Sequence, residues 1–330
     1  MRTKSKFIDN PKIVVIGGGT GISNIIRGLK KFTKNIVAVV TVADDGGGSG
    51  ILRNDLGILP PGDIRNCLIA LANTEPIMEE LLRYRFTEGN LKNQNFGNLL
   101  IAAMIGITSN FEEAIKKVSK VLAITGRVLP VTLENITLKA ELLNGAVVEG
   151  ESKIPEEVIR HNTRIKEISI VPKEAEPLKD CIDEILQADA VILGPGSLYT
   201  SILPNLKIQK ICDAINDSEG IKIYISNIMT QPGETEEYSL CDHVDTIYKN
   251  TDIKNIDYII ANNRVLSNFI LEKYNYENSK YVVCDDHKLD KTNSIIIKEN
   301  LVKFKNDFIR HDEDKLSKIV IDVINSRNDR

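Results

Sequence analysis

The feature that most constrains this chain is a repeated pattern. A short apolar, β-branched run stops at a glycine-rich or polar loop, and a helical period follows. Lys12 to Ile16 runs into Gly17-Gly18-Gly19-Thr20-Gly21, after which Ile22, Ile25, Ile26 and Leu29 recur at helical spacing. Asn35 to Ala43 runs into Asp44-Asp45-Gly46-Gly47-Gly48, and Ala190 to Leu193 into GPGSLYTS. Ile221 to Ile225 runs into SNIMTQPGET, and Tyr258 to Ala261 into Asn262-Asn263. Strands alternating with helices predict a mostly parallel sheet covered on both faces. Ligands of such sheets sit outside the carboxyl ends of the strands. The five loops therefore predict one shared crevice.

Between these units lie helical patterns over Ile64–Leu71, Ile77–Leu82, Leu99–Ile105, Phe111–Val121, Leu178–Leu186 and Lys315–Ile324. Asp63, just after Pro60-Pro61-Gly62, is placed to cap the first of them. The rhythm breaks at residue 128. Ile136, Leu138, Ala140 and Leu142 alternate with polar residues up to Asn144-Gly145, a strong hairpin signal. This predicts a β-rich insert over 128–170 that ends through a charged stretch.

The chain has 330 residues and 42% apolar content, enough for a large core in one or two domains. A net charge of −4 gives no basic footprint for nucleic acid. No run approaches the roughly 20 apolar residues of a membrane span, and the N-terminus has no signal-peptide core. Five scattered cysteines without a CxxC pair predict reduced thiols and a cytoplasmic setting.

The motifs narrow the chemistry further. Glycines at 17, 18, 19 and 21 and at 194 and 196 let backbone amides approach phosphate at helix starts, with Thr20, Ser197, Thr200 and Ser201 adding hydroxyls. Either loop is also compatible with a plain tight turn. The spacing of the first loop is not GxGxxG, because Ile22 stands where the last glycine belongs. Neither GxxxxGK[ST] nor GxSxG occurs, which disfavours P-loop hydrolases and serine hydrolases. Asn227, Met229, Thr230, Gln231 and Asn262 offer groups suited to a sugar or a base edge. Arg310 would close on a phosphate, or simply cap a helix. The four histidines lie apart and form no HExxH. Asp285-Asp286-His287 reads as a surface turn before it reads as a cation site.

TVADDGGGSGILR, PPGDIRNCLIALA, GNLLIAA and GPGSLYTSILPNL together resemble the CofD-like family, and within it the YvcK-type gluconeogenesis-factor branch. The resemblance runs from Lys12 to about Asp312. It implies a Rossmann-like three-layer α/β/α domain over 1–330, with a small β-hairpin insert and a C-terminal helix over 312–330, in a homodimer. One branch of the family transfers a 2-phospholactyl group from a nucleotide-activated donor to a deazaflavin. The other binds UDP-sugars such as UDP-N-acetylglucosamine and supports growth and cell shape under gluconeogenic conditions, with no established catalysis. The resemblance puts phosphate binding on Gly17–Gly21 and on Gly194, Gly196, Ser197, Leu198, Thr200 and Ser201. It puts an acidic motif on Asp44 and Asp45, and a Gly-Asn motif on Gly97 and Asn98. Relatives often carry Gly-His before that motif. This chain reads Asn93-Gln94-Asn95-Phe96 and so offers no imidazole there.

Three functions are in play. The first is a UDP-sugar-binding regulator. The second is a phospholactyl transferase whose Asp44 and Asp45 hold Mg²⁺ on a diphosphate. The third is an NAD-binding protein, because Asp44 stands about 20 residues beyond the first glycine turn, where that fold grips ribose. Arg53 and Arg65 are placed to meet a phosphate or Asp44. The carboxylates of the second loop then face hydroxyls or a metal, and the helix-starting loops face phosphate.

Overall fold

The computed structural model describes residues 8–326, except 109, 266–278, 286–287, 290–292 and 306–307. Seven strands form one parallel sheet: β1 (Ile13–Gly17), β2 (Ile36–Val40), β3 (Arg127–Pro130), β7 (Ala190–Leu193), β8 (Ile221–Ile225), β9 (Tyr258–Asn262) and β10 (Ile295–Glu299). Their order is β10-β9-β8-β7-β1-β2-β3. The chain moves outward from β1 to β3, then returns to the other side of β1 with β7. The reversal point lies between β1 and β7, where the two glycine loops of the sequence also lie.

The central strands are apolar along their whole length because helices cover both faces. Every residue of β1, β2, β7 and β8 is buried. Helices α1 (Gly19–Leu29) and α3 (Gly62–Leu71) pack against each other on one face. The C-terminal helix Glu313–Ser326 crosses α1 at Gly28, where an added Cβ would stand 2.2 Å from Ser317 Oγ. No helix of the described residues is long and apolar enough to cross a membrane.

A separate antiparallel sheet, ordered β5-β4-β6, joins β4 (Thr137–Leu142), β5 (Val147–Glu149) and β6 (Ile165–Val171). The Asn144-Gly145 turn links β4 to β5, with Gly145 at φ 84° as such a turn requires. Residues 127–130, where the insert was expected to begin, pair with β2 as the edge of the main sheet. The charged stretch at the end of the insert forms a helix, Lys153–Arg160, and leads into β6, whose inward residues Ile165, Ile168 and Ile170 are buried.

Three further elements differ from the sequence reading. The glycines after Asp45 open α2 (Gly47–Leu56), a helix that their low propensity conceals. The helix expected from Leu99 begins at Phe96, because Asn95 caps it by accepting from the Asn98 amide at 3.2 Å. A hairpin of β11 (Val302–Lys305) and β12 (Phe308–His311) brings Arg310 to the crevice.

Candidate functional site

The two loops at the reversal point pack tightly, and this is what their glycines serve. An added Cβ on Gly21 would lie 2.1 Å from the Pro195 carbonyl oxygen, and one on Gly18 would lie 2.5 Å from Ser201 Oγ. Gly194 donates its amide to the Ile16 carbonyl at 2.9 Å. After Ser197 the chain forms a π-helical turn, Leu198–Ile202, that buries Leu198 and Thr200 in the interior. Of the hydroxyls expected in this loop, Ser197 and Ser201 therefore reach the crevice, while Thr200 donates to Glu234 Oε1 at 3.2 Å.

The crevice holds a cleft of about 420 Å³. Thr20, Gly21, Gly196, Ser197 and Ser201 form one wall; Asn227, Met229, Thr230 and Gln231 form the other, and Arg310 stands at the edge. His311, the neighbour of Arg310, joins them, as do Asn24, Ser279 and Phe308, which the sequence did not mark. No carboxylate lines the cleft among the described residues, and Arg310 is its one fixed positive charge. Hydrogen bonds set the wall groups in place. Asn227 Oδ1 accepts from the Gly196 amide at 3.3 Å, and Gln231 Nε2 donates to Ser197 Oγ at 2.6 Å. Thr230 is held by the Lys280 amide at 2.9 Å and by Ser279 Oγ at 2.6 Å. Arg310 lies over the Phe308 ring at 5.3 Å and is otherwise exposed. Burial pushes the His311 imidazole down to about 4, so at neutral pH its Nε2–H donates to the Ser226 carbonyl at 3.1 Å.

A wall of carboxylates from separate segments stands beside the cleft. Asp63 does not cap its own helix. It accepts instead from the Gly19 and Thr20 amides at the start of α1, and burial followed by Asp44 pushes it up to about 6. Two donors that the sequence reserved for phosphate are thus already engaged. Asp44 Oδ1 accepts from the Gly46 amide at 2.9 Å, and burial raises its pKa against that bond and one from Ser49. Asp45 Oδ1 accepts from the Ser152 amide at 2.9 Å, which ties the insert to this loop. Glu151 faces Asp44, Glu234, Asp45 and Asp63; burial and their repulsion push it up to about 8. Burial pushes Glu234 up to about 7, and its Oε2 has no partner. Arg53 does not pair with these acids side chain to side chain. It donates to the backbone oxygens of Asp44 and Ile136, at 3.3 and 2.7 Å. The sequence pointed to neither Glu151 nor Glu234, although Glu234 lies inside the quoted SNIMTQPGET loop. Carboxylates that meet only in three dimensions leave no spacing to read.

The family model for 2-phospho-L-lactate transferase CofD matches residues 13–302. The chain belongs to the CofD family. The Bacillus subtilis gluconeogenesis factor is 45% identical over 315 residues, covering 95% of this chain and 98% of its own. A Clostridium acetobutylicum relative is 55% identical over 321 residues, covering 97% of this chain and 71% of its own. A crystal structure of a UPF0052 family member from Bacillus halodurans superposes with a TM-score of 0.90 at 42% identity, covering 94% of this chain and 99% of that one.

Some residues expected at the site of this CofD-family chain stand outside the cleft lining. Asn98 Oδ1 accepts from Arg65 Nη1 at 2.8 Å and is buried behind α2. Asn262 Oδ1 accepts from the Arg264 and Leu301 amides, which closes the end of β9. Asp285 accepts from the Cys241 amide at 3.0 Å and pairs with Lys288 at 2.9 Å, whereas Asp286 and His287 lie outside the described residues. Among the described residues no group of three or more His, Cys, Asp or Glu side chains is arranged to hold a metal ion. A Mg²⁺ at Asp44 and Asp45 would need ligand phosphates to complete its shell.

Proposed function

We propose that this protein is a cytoplasmic nucleotide-sugar-binding regulator that serves growth and cell shape on gluconeogenic carbon, with UDP-N-acetylglucosamine as the type of ligand. The observation that carries this reading is the cleft lining, which combines neutral hydrogen-bonding side chains, one arginine and no carboxylate among the described residues. Arg310 and the Ser197 and Ser201 hydroxyls suit a diphosphate. Asn24, Asn227, Thr230 and Gln231 suit sugar hydroxyls and a base edge. The name of the Bacillus subtilis relative, gluconeogenesis factor, supports the gluconeogenic part of this reading. Calorimetry against UDP-sugars, GDP and NAD tests it, and no UDP-sugar binding at millimolar concentration would overturn it. The largely apolar Phe96–Gly106 helix, followed by exposed Ile107, supports a homodimer, which light scattering checks.

A second reading draws support from Asp63, a carboxyl poised near neutral pH beside Ser201 and Gly18. In a phospholactyl transferase, an acceptor hydroxyl attacks phosphorus, a diphosphate P–O bond breaks and the nucleotide leaves as its monophosphate. Asp63 would take the hydroxyl proton. No release of nucleoside monophosphate from an activated phospholactate mixed with a deazaflavin would exclude it.

A further inference from the structure

One ring nitrogen in the cleft is fixed in place and has no partner. His311 stands on β12 beside Arg310 and is only 8% exposed. Val302 and Ile309 of the hairpin pack with Ile228 in a small buried cluster, which seats β12 on the loop after β8. The Ser226 carbonyl can only accept, so the His311 Nε2 that stands 3.1 Å from it carries the proton. Burial disfavours the charged form of the ring, which is therefore neutral near pH 7. A neutral imidazole protonated on Nε2 keeps a lone pair on Nδ1. Among the described residues nothing donates to that lone pair. Unlike His243 Nε2, which is buried without a partner, His311 Nδ1 keeps accessible surface, and its ring lines the cleft.

Neighbouring acceptors in the lining are already in use. Asn227 Oδ1 takes the Gly196 amide at 3.3 Å, Gln231 Oε1 takes Asn227 Nδ2 at 3.3 Å, and Thr230 Oγ1 takes the Lys280 amide at 2.9 Å. Donors are left over. Asn227 Nδ2 has a second hydrogen, Ser197 Oγ accepts from Gln231 and keeps its own proton, and the Arg310 guanidinium is exposed. An acceptor set among donors complements a ligand edge that carries one N–H between two carbonyl oxygens. Uracil has that edge, with N3–H between O2 and O4. Cytosine carries a lone pair at N3 instead. Phe308, on the same strand, lines the cleft at 41% exposure and offers the flat apolar surface on which a base lies.

We propose that His311 Nδ1 reads the base of the ligand, accepting the N3–H of a uracil and turning away a cytosine. This inference rests on the nucleotide-sugar reading of the cleft and assigns it a base. The discrimination is electrostatic and local. With cytosine two lone pairs would face each other, and a buried acceptor would stay unpaired.

The test is calorimetric titration of the full chain with UDP-glucose and with CDP-glucose, which differ only in the base. The wild type should prefer UDP-glucose by about tenfold or more. His311→Gln places an amide nitrogen near the position of Nε2 and can still donate to Ser226, but it has no acceptor at Nδ1. It should bring the two affinities together, chiefly by weakening UDP-glucose, with the melting temperature retained. His311→Asn places an amide oxygen near the position of Nδ1, so it should keep the preference even where it melts lower. Equal binding of both ligands by the wild type overturns the inference. So does a preference unchanged in His311→Gln, or one lost equally in both variants, which would mark a merely structural role. Absence of binding by either ligand to the wild type overturns the cleft reading, and this inference with it.

Discussion

Replacing Glu151 with glutamine should stabilise this protein, by an amount that grows as pH rises from about 4.5 to about 8. The folded chain holds the Glu151 proton up to about pH 8, whereas the unfolded chain releases it near 4.5. Between those values the folded state binds more protons, so stability falls as pH rises through the window. Below pH 4.5 the penalty is absent, and above pH 8 it is complete. At about 1.4 kcal/mol per unit, the rise from 4.5 to about 8 puts about 5 kcal/mol on the ionised form. Unfolding entropy of about 2.1 cal/mol/K per residue gives roughly 0.7 kcal/mol/K for 330 residues. The penalty then corresponds to about 7 °C in melting temperature. Scanning calorimetry at pH 5, 7 and 9 reads it directly. The variant should melt within about 2 °C of wild type at pH 5 and about 7 °C above it at pH 9. An equal difference at all three pH values, or a variant that melts lower at pH 9, would refute the carboxylate wall as the cause.

Other expectations follow from single contacts. Gly19→Ala places a methyl 2.1 Å from the Asp63 carbonyl oxygen; forcing α1 from α3 should cost about 3 kcal/mol, measured by denaturant unfolding. Arg310→Ala should weaken UDP-sugar binding by about tenfold or more, the worth of one charge-assisted hydrogen bond, without moving the melting temperature. Arg127→Ala removes pairs with Asp180 and Glu184. Its side chain is 40% exposed, so the loss should stay near 1 kcal/mol and shrink in high salt.

The parallel sheet was legible because buried strands need unbroken apolar runs, and β1, β2, β7, β8 and β9 all have them. β3 was not, since Arg127-Val128-Leu129-Pro130 is short and leads straight into the insert. β10 carries Lys298 and Glu299 at an edge and looks less like a strand for it. The cleft was legible in part. Thr20, Ser197, Ser201, Asn227, Met229, Thr230, Gln231 and Arg310 meet there because loops after neighbouring strands must converge. Asn262 lies apart from the cleft because β9 is two strands away from the reversal, with β8 and β7 between it and β1. The glycine loops posed a subtler problem. Gly18, Gly19 and Gly21 signal close approach, but not of what, and much of what approaches is Asp63, Ser201 and Pro195.

Ser152 and Pro155 occupy one short segment of the insert. Ser152 grips Asp45 after the second strand, while the Pro155 carbonyl lies 2.4 Å from where a Cβ on Gly233 would stand. Those two loops belong to opposite flanks of the strand reversal. The segment thus bridges the loops on the two flanks. The insert is therefore anchored to both halves of the sheet at once, through a segment that lines no part of the cleft.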